Sequence, residues 1–182
     1  LAIDAAVARN FAIEVDLQPS ADGEAMVHHD YVLGRLTEGT GELLSLTSEQ
    51  LKQTVFKNTS DRMMTLGDLC ARVAGKVPLV LEIKSRFGGS RTLVKRMAEV
   101  LASYKGPVAA MSFDPDQVAA VREVMPQLTG GIVAERHYVD GEWKQLPPQK
   151  IHEMTALRHA FRTRPHFVSY SITDLPAPAP WI

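Results

Sequence analysis

Strand-like and helix-like patterns alternate along this chain, and that alternation confines its fold more tightly than any other feature. Phe11–Gln18 (FAIEVDLQ) switches between apolar and polar residues with period two and reads as a strand. Pro78–Lys84 (PLVLEIK) does the same, and Val108–Ser112, Leu128–Ala134 and His166–Tyr170 read as further strands. Between them lie helical patterns. Thr65–Val73 has Thr65 as N-cap and Gly75 as stop. Ser90–Tyr104 gathers Leu93, Met97, Val100, Leu101 and Tyr104 on one face. Asp114-Pro115 opens a helix running to Met125, and Pro148–Arg162 reads as another. Leu1–Arg9 reads as the tail of a helix, and Asp22-Gly23 turns the chain into a short strand at Ala25–His28. Residues 34–64 are polar, with Gly34, Gly39 and Gly41, and read as a long loop carrying a short helix at Ser48–Gln53. A polar loop with Asp140-Gly141, Trp143 and Pro147-Pro148 precedes the last helix, and the proline-rich Leu175–Ile182 forms a tail. Strands separated by helices of this length pack as parallel βαβ units, so the expected class is α/β. No Gly-rich phosphate loop or dinucleotide fingerprint accompanies them.

Bulk properties narrow the function classes. A net charge of −1 offers no basic field for nucleic acid. No apolar run approaches the ~20 residues of a membrane span, so no transmembrane segment is expected. The single cysteine, Cys70, lies in an apolar helical pattern and reads as a buried structural thiol. It can form no internal disulfide, so an oxidising compartment gains no support and the expected address is cytoplasmic, an export leader upstream of Leu1 being compatible with this.

The polar face of the first strand carries the chemistry. Phe11, Ile13, Val15 and Leu17 share one side, and Ala12, Glu14, Asp16 and Gln18 share the other. In a parallel sheet covered by helices neither face is normally wet. Glu14 and Asp16 would there repel each other and lose hydration, and a bound cation removes both problems. An oxygen-only donor set suits Ca²⁺ or Mg²⁺ better than zinc. The alternative is an exposed edge strand with a solvated polar face. In Pro78–Lys84 the same reasoning makes Glu82 a third carboxylate for that ion and sets Lys84 two residues nearer the mouth, beside an anionic substrate. A Glu82–Lys84 pair that only neutralises itself is the other reading, and the pair can do both. His28-His29-Asp30 follows a strand, where an imidazole can serve as general acid or base. His137, His152, His159 and His166 fit no catalytic spacing and read as structural or surface residues; Trp143 reads as a packing anchor, the alternative being a residue lining a substrate groove.

The run from Glu14 to Gly41, EVDLQPSADGEAMVHHDYVLGRLTEGTG, resembles the signature of the glycerophosphodiester phosphodiesterase family. The family pattern is an acid-x-Asp strand, an Asp-Gly turn, an apolar strand, then His-Asp-x-x-Leu-x-Arg-x-Thr-x-Gly-x-Gly. It is met by His29, Asp30, Leu33, Arg35, Thr37, Gly39 and Gly41. Asp61–Leu66, Leu81-Glu82-Ile83-Lys84 and Ser112-Phe113-Asp114 continue the match in order. The matches are dense to about residue 115, thin beyond Leu128, and return at Phe167–Pro176.

The resemblance implies one (β/α)₈ TIM barrel domain over residues 1–182, with a small insertion after its second strand. It also implies a divalent cation on Glu14, Asp16 and Glu82, His29 as a catalytic histidine, and Lys84 near the phosphate. The implied reaction is hydrolysis of a small-molecule glycerophosphodiester to sn-glycerol 3-phosphate and an alcohol, by histidine acid–base catalysis. Alternatives on the same scaffold are cleavage of lysophospholipid or sphingolipid head groups, or a non-catalytic metal-binding barrel. Two family elements, a His-Arg-Gly carrying the second catalytic histidine and a following Glu-Asn-Thr, do not occur in the chain. The family's first strand aligns upstream of Leu1, so the second histidine has no number here. A closed barrel of this kind typically takes ~250 residues, and roughly the first unit and the last two are expected to lie outside the sequence.

Overall fold

The computed structural model describes residues 2–139 and 141–181. Leu1, the Asp140 of the Asp140-Gly141 loop and Ile182 at the end of the tail lie outside the described residues. Helix α1 (Ala2–Ala8) leads into β1 (Ile13–Pro19), which turns back into β2 (Ala25–Val27). Strands β3 (Val32–Leu33) and β4 (Gly41–Glu42), helix α2 (Ser48–Lys52) and strand β5 (Met64–Thr65) follow. The remainder alternates: α3 (Leu66–Val73), β6 (Leu79–Ile83), α4 (Thr92–Leu101), β7 (Val108–Ser112), α5 (Pro115–Val124), β8 (Thr129–Ala134), α6 (Pro148–Thr155), α7 (Ala160–Thr163) and β9 (Phe167–Tyr170).

Strands β1, β6, β7, β8 and β9 are parallel neighbours in chain order, as the alternation predicts. β2 pairs antiparallel with β1 only over Leu17–Pro19, and β5 lies beyond it. The strands make an arc of a (β/α)₈ barrel, not a closed cylinder. Among the described residues β9 pairs only with β8, and the Ile13–Val15 stretch of β1 pairs only with β6.

The helices cover one side of the arc. Leu17, Leu79, Leu81 and Ile83 from the strands meet Leu66, Leu69, Val73, Leu93, Val94 and Met97 from α3 and α4 in one buried cluster. Cys70 belongs to it, and burial pushes its thiol up to about 11, consistent with an inert structural residue. Thr65 caps α3 as expected: its hydroxyl accepts from the Asp68 amide and the Asp68 carboxylate accepts from the Thr65 amide. Asp114 likewise caps α5, with Pro115 in its first turn.

Two local expectations need correction. Residues 34–64 do carry a short helix, but the segment is more than a loop. β3 and β4 form a ribbon, and Leu33, Leu43, Leu51 and Met63 bury themselves with Met26 in a second small core. The helix expected over Pro148–Arg162 is broken into α6 and α7. Leu157 takes a left-handed φ of 50° between them and is buried with Val118, Ile132 and Ala134. Burying that leucine against α5 and β8 outweighs continuing the helix.

Candidate active site

Register brings the three acids together. Asp16 on β1 sits directly beside Glu82 on β6, and Glu14 shares the face of Asp16 two residues earlier. Oxygens of Glu14, Asp16 and Glu82 all lie within 4.8 Å of one another. Lys84, two residues beyond Glu82, reaches back so that its Nζ lies 3.4 Å from Glu82 and 3.8 Å from Asp16. Its side chain is buried, and its amide donates to the Leu17 carbonyl, which ties the ends of the two strands together. One ammonium faces three carboxylates, and that deficit is what a divalent cation would fill.

The electrostatics of Glu14 and Glu82 agree. Burial raises Glu14 to about 6, and the charges of Asp16 and Glu82 push it the same way. Burial also raises Glu82, with Lys84 opposing. The folded chain therefore holds a proton on Glu14 more tightly than the unfolded chain, whose carboxyl has the ordinary value of 4.5. The sign follows by linkage: the cation-free fold carries an ionisation penalty that is absent below pH 4.5 and complete above about 6. We expect Glu14→Gln, kept cation-free with a chelator, to melt above the wild type at pH 7, the gap closing as the pH falls to 4.5. A gap that does not change with pH would contradict this reading.

His29 enters from the loop after β2, next to the three acids. Its ring favours the ionised forms of Glu14 and Glu82. Its Nδ1 lies 2.8 Å from Asp30 Oδ1. Arg35 grips the same Asp30 with two bonds, Nε to Oδ2 at 2.7 Å and a terminal nitrogen to Oδ1 at 2.6 Å. That guanidinium holds the Asp30 carboxyl down at about 2, so the carboxylate stays charged and fixes the imidazole from one side. His28 is different. It is buried, its ring centroid is 5.9 Å from that of Phe56 in the insertion, and burial lowers its pKa.

Sequence reasoning named Glu14, Asp16, Glu82, Lys84 and His29 but missed the parts that hold them. Gln18, on the same strand face as the acids, directs its amide Nε2 at the carbonyls of His28, His29 and Asp30, at 2.9, 2.8 and 2.9 Å. A polar residue continuing the Glu14–Asp16 alternation was the one signal for it. Tyr31 donates to the Ser85 carbonyl, and Arg86 lies 4.8 Å over its ring. Beside Lys84, a groove of about 490 Å³ runs past His29 and is walled by Tyr31, Val32, Leu33 and Arg35. Trp143 is a packing anchor, its ring 5.0 Å from Phe113 and 5.1 Å from Tyr138, and it also lines a small pocket with Tyr31, Glu82 and Lys84. His159 is buried against Thr163, and His166 Nδ1 meets the Gly130 amide, both structural roles.

Parallel strands that deliver carboxylates and a lysine to one end, with an imidazole on the adjoining loop, define a barrel-type α/β protein with a candidate divalent-cation centre. Residues 1–162 match the glycerophosphoryl diester phosphodiesterase family. The chain belongs to that family.

A glycerophosphodiester phosphodiesterase of Caldanaerobacter subterraneus subsp. tengcongensis is 29% identical over an alignment 132 residues long that covers 66% of this chain and 54% of that protein. The chain thus spans about half the length of this curated relative. Among solved structures, an Oleispira antarctica phosphodiesterase in complex with the product sn-glycerol-3-phosphate superposes with a TM-score of 0.74 at 18% identity, covering 91% of this chain and 66% of that one. A glycerophosphodiester phosphodiesterase from Parabacteroides distasonis superposes with a TM-score of 0.69 at 16% identity, covering 95% and 66%. At such identities the structures establish the shared fold.

Proposed function

We propose that this protein hydrolyses glycerophosphodiesters, releasing sn-glycerol 3-phosphate and an alcohol. The observation that carries the reading is the convergence of Glu14, Asp16 and Glu82 on one point, with Lys84 beside them and His29 at the edge. Family membership supports the reaction class, and the product bound to the Oleispira relative supports the product.

Glu14, Asp16 and Glu82 would hold Ca²⁺ or Mg²⁺, since all their donors are oxygens. Such an ion supplies Lewis-acid stabilisation of charge on the phosphoryl group. Lys84, buried beside Glu82 and Asp16, would add a fixed positive charge toward the phosphoryl group. The reaction then follows from the substrate's own hydroxyl. The glycerol oxygen next to the phosphate attacks phosphorus, the bond to the leaving alcohol breaks, and a cyclic phosphate results. Water opens that ring to sn-glycerol 3-phosphate. Each step moves one proton off the attacking oxygen and one onto the departing oxygen. His29 serves in this exchange through Nε2, because Asp30 engages Nδ1. Gln18 keeps the His29 backbone in register with the acids, and Arg35 keeps Asp30 charged.

The test is direct. The protein supplied with Ca²⁺ or Mg²⁺ should release sn-glycerol 3-phosphate from glycerophosphodiesters, measured by a coupled dehydrogenase assay. Silence across several head groups and both ions would count against the reading. No helix among the described residues is long and apolar enough to cross a membrane.

A further inference from the structure

The loop that carries His29 is fastened on two sides. From β1, Gln18 holds the carbonyls of His28, His29 and Asp30, and the Asp16 carbonyl accepts from the His28 amide. These bonds set the loop against β1, but Glu82 and Lys84 stand on and just past β6. A different bond reaches that strand's end. Tyr31 Oη donates to the Ser85 carbonyl at 2.9 Å, and Ser85 directly follows Lys84.

Ser85 is itself anchored from a third strand. Its hydroxyl donates to Asp114 Oδ2 at 2.6 Å and accepts from the Phe87 amide at 3.0 Å. Asp114, just past β7, is only 1% exposed. Its Oδ1 caps α5 by accepting from the Asp116 amide at 2.9 Å, so the cap uses one oxygen and leaves the other for Ser85. A buried carboxylate oxygen without a donor is costly, which makes the Ser85 bond firm. Ser112 adds a stitch alongside: its hydroxyl donates to the Ile83 carbonyl at 2.6 Å and accepts from the Asp114 amide at 3.1 Å. The chain on both sides of Lys84 is thus tied to the end of β7. Arg86 and Glu42 join the insertion to the loop after β6 farther out, but both side chains are about half exposed, where an ion pair holds weakly.

We propose that Tyr31 and Ser85 are positioning residues which, anchored by the buried Asp114, set His29 against Lys84. The proposal rests on the phosphodiesterase reading, in which a proton-transfer imidazole and a fixed ammonium must meet one phosphate. For groups that share a reacting centre, a misplacement of about 1 Å costs on the order of 10²-fold in rate. Gln18 fixes the loop relative to β1; the Tyr31–Ser85–Asp114 link fixes it relative to the strand end that bears the lysine.

Tyr31→Phe tests the link with the least disturbance. The ring stays in the groove wall and beneath Arg86, and the hydroxyl that meets the Ser85 carbonyl is lost. With glycerophosphocholine and Mg²⁺, kcat should fall roughly 10- to 100-fold while KM stays within about threefold. Ser85→Ala should act in the same direction, and Ser85→Thr, which keeps the hydroxyl, should restore turnover. The double variant Tyr31→Phe/Ser85→Ala should lose well short of the product of the two single losses, because the anchor reaches the loop through the tyrosine. Hydrogen exchange reads the link without turnover: Tyr31→Phe should speed exchange of the amides at 28–31 about tenfold and leave the β6–β7 ladder protected. An unchanged kcat in Tyr31→Phe, a rise in KM alone, or losses that multiply in the double variant overturns the proposal and leaves the phosphodiesterase reading standing. If the wild type turns over no diester, that reading falls and exchange decides the link: faster exchange at 28–31 upholds the fastening of the loop, and unchanged exchange overturns it.

Discussion

Replacing His29 by alanine should lower kcat by roughly 10²–10⁴, the share that a positioned proton-transfer group usually supplies. The effect should appear in turnover alone. The His29 side chain is 57% exposed, so its removal opens no cavity in a core. Asp30 keeps both bonds to Arg35, and Gln18 keeps its backbone acceptors, so the loop retains its supports. The three acids come from other positions on β1 and β6, so cation affinity should remain essentially that of the wild type. Parallel calorimetry with Mg²⁺ or Ca²⁺ and a progress-curve assay separate the two quantities. If the variant retains more than about a tenth of the activity, His29 is not the proton-transfer group.

Replacing Glu82 by glutamine should abolish both cation binding and turnover. Glu82 is buried and stands directly opposite Asp16, so its carboxylate is the acid most committed to the shared point. The amide keeps the shape but removes one of the charges that balance a divalent ion. Losing an outer partner of a metal ligand commonly costs 10–100-fold in affinity, and loss of a ligand should cost at least roughly that much. Lys84 sharpens the expectation, because its ammonium would then face Asp16 and Glu14 alone and oppose the incoming ion. The readouts are the calorimetric affinity and the rise in melting temperature on adding Mg²⁺ or Ca²⁺. Glu82→Gln should show no such rise. An unchanged affinity would remove the cation centre from the account.

Much of this was legible before any coordinates, for a physical reason. A strand whose alternate residues are Glu14, Asp16 and Gln18 states its own faces, and period two leaves no freedom about which side chains travel together. Parallel pairing with a second strand bearing Glu82 and Lys84 then needed only the register, which the flanking apolar residues impose. His29 was named through motif resemblance, since a lone imidazole carries no such periodic label. Other features were invisible for complementary reasons. The insertion's core draws on Leu33, Leu43, Leu51 and Met63, spaced irregularly through polar chain, so no period betrays it. The break at Leu157 interrupts a helical pattern through contacts with distant α5 and β8 residues. The Asp30–Arg35 fork and the Gln18 bonds join side chains to partners across a loop, where sequence spacing has no fixed geometric meaning.

One consequence follows from the candidate reacting groups deriving from β1, β6 and the loop after β2. All of them lie before residue 85, and α5, β8 and β9 contribute none of the three acids. Drift in that later half can retune packing and stability while the ladder between β1 and β6 keeps the carboxylates together.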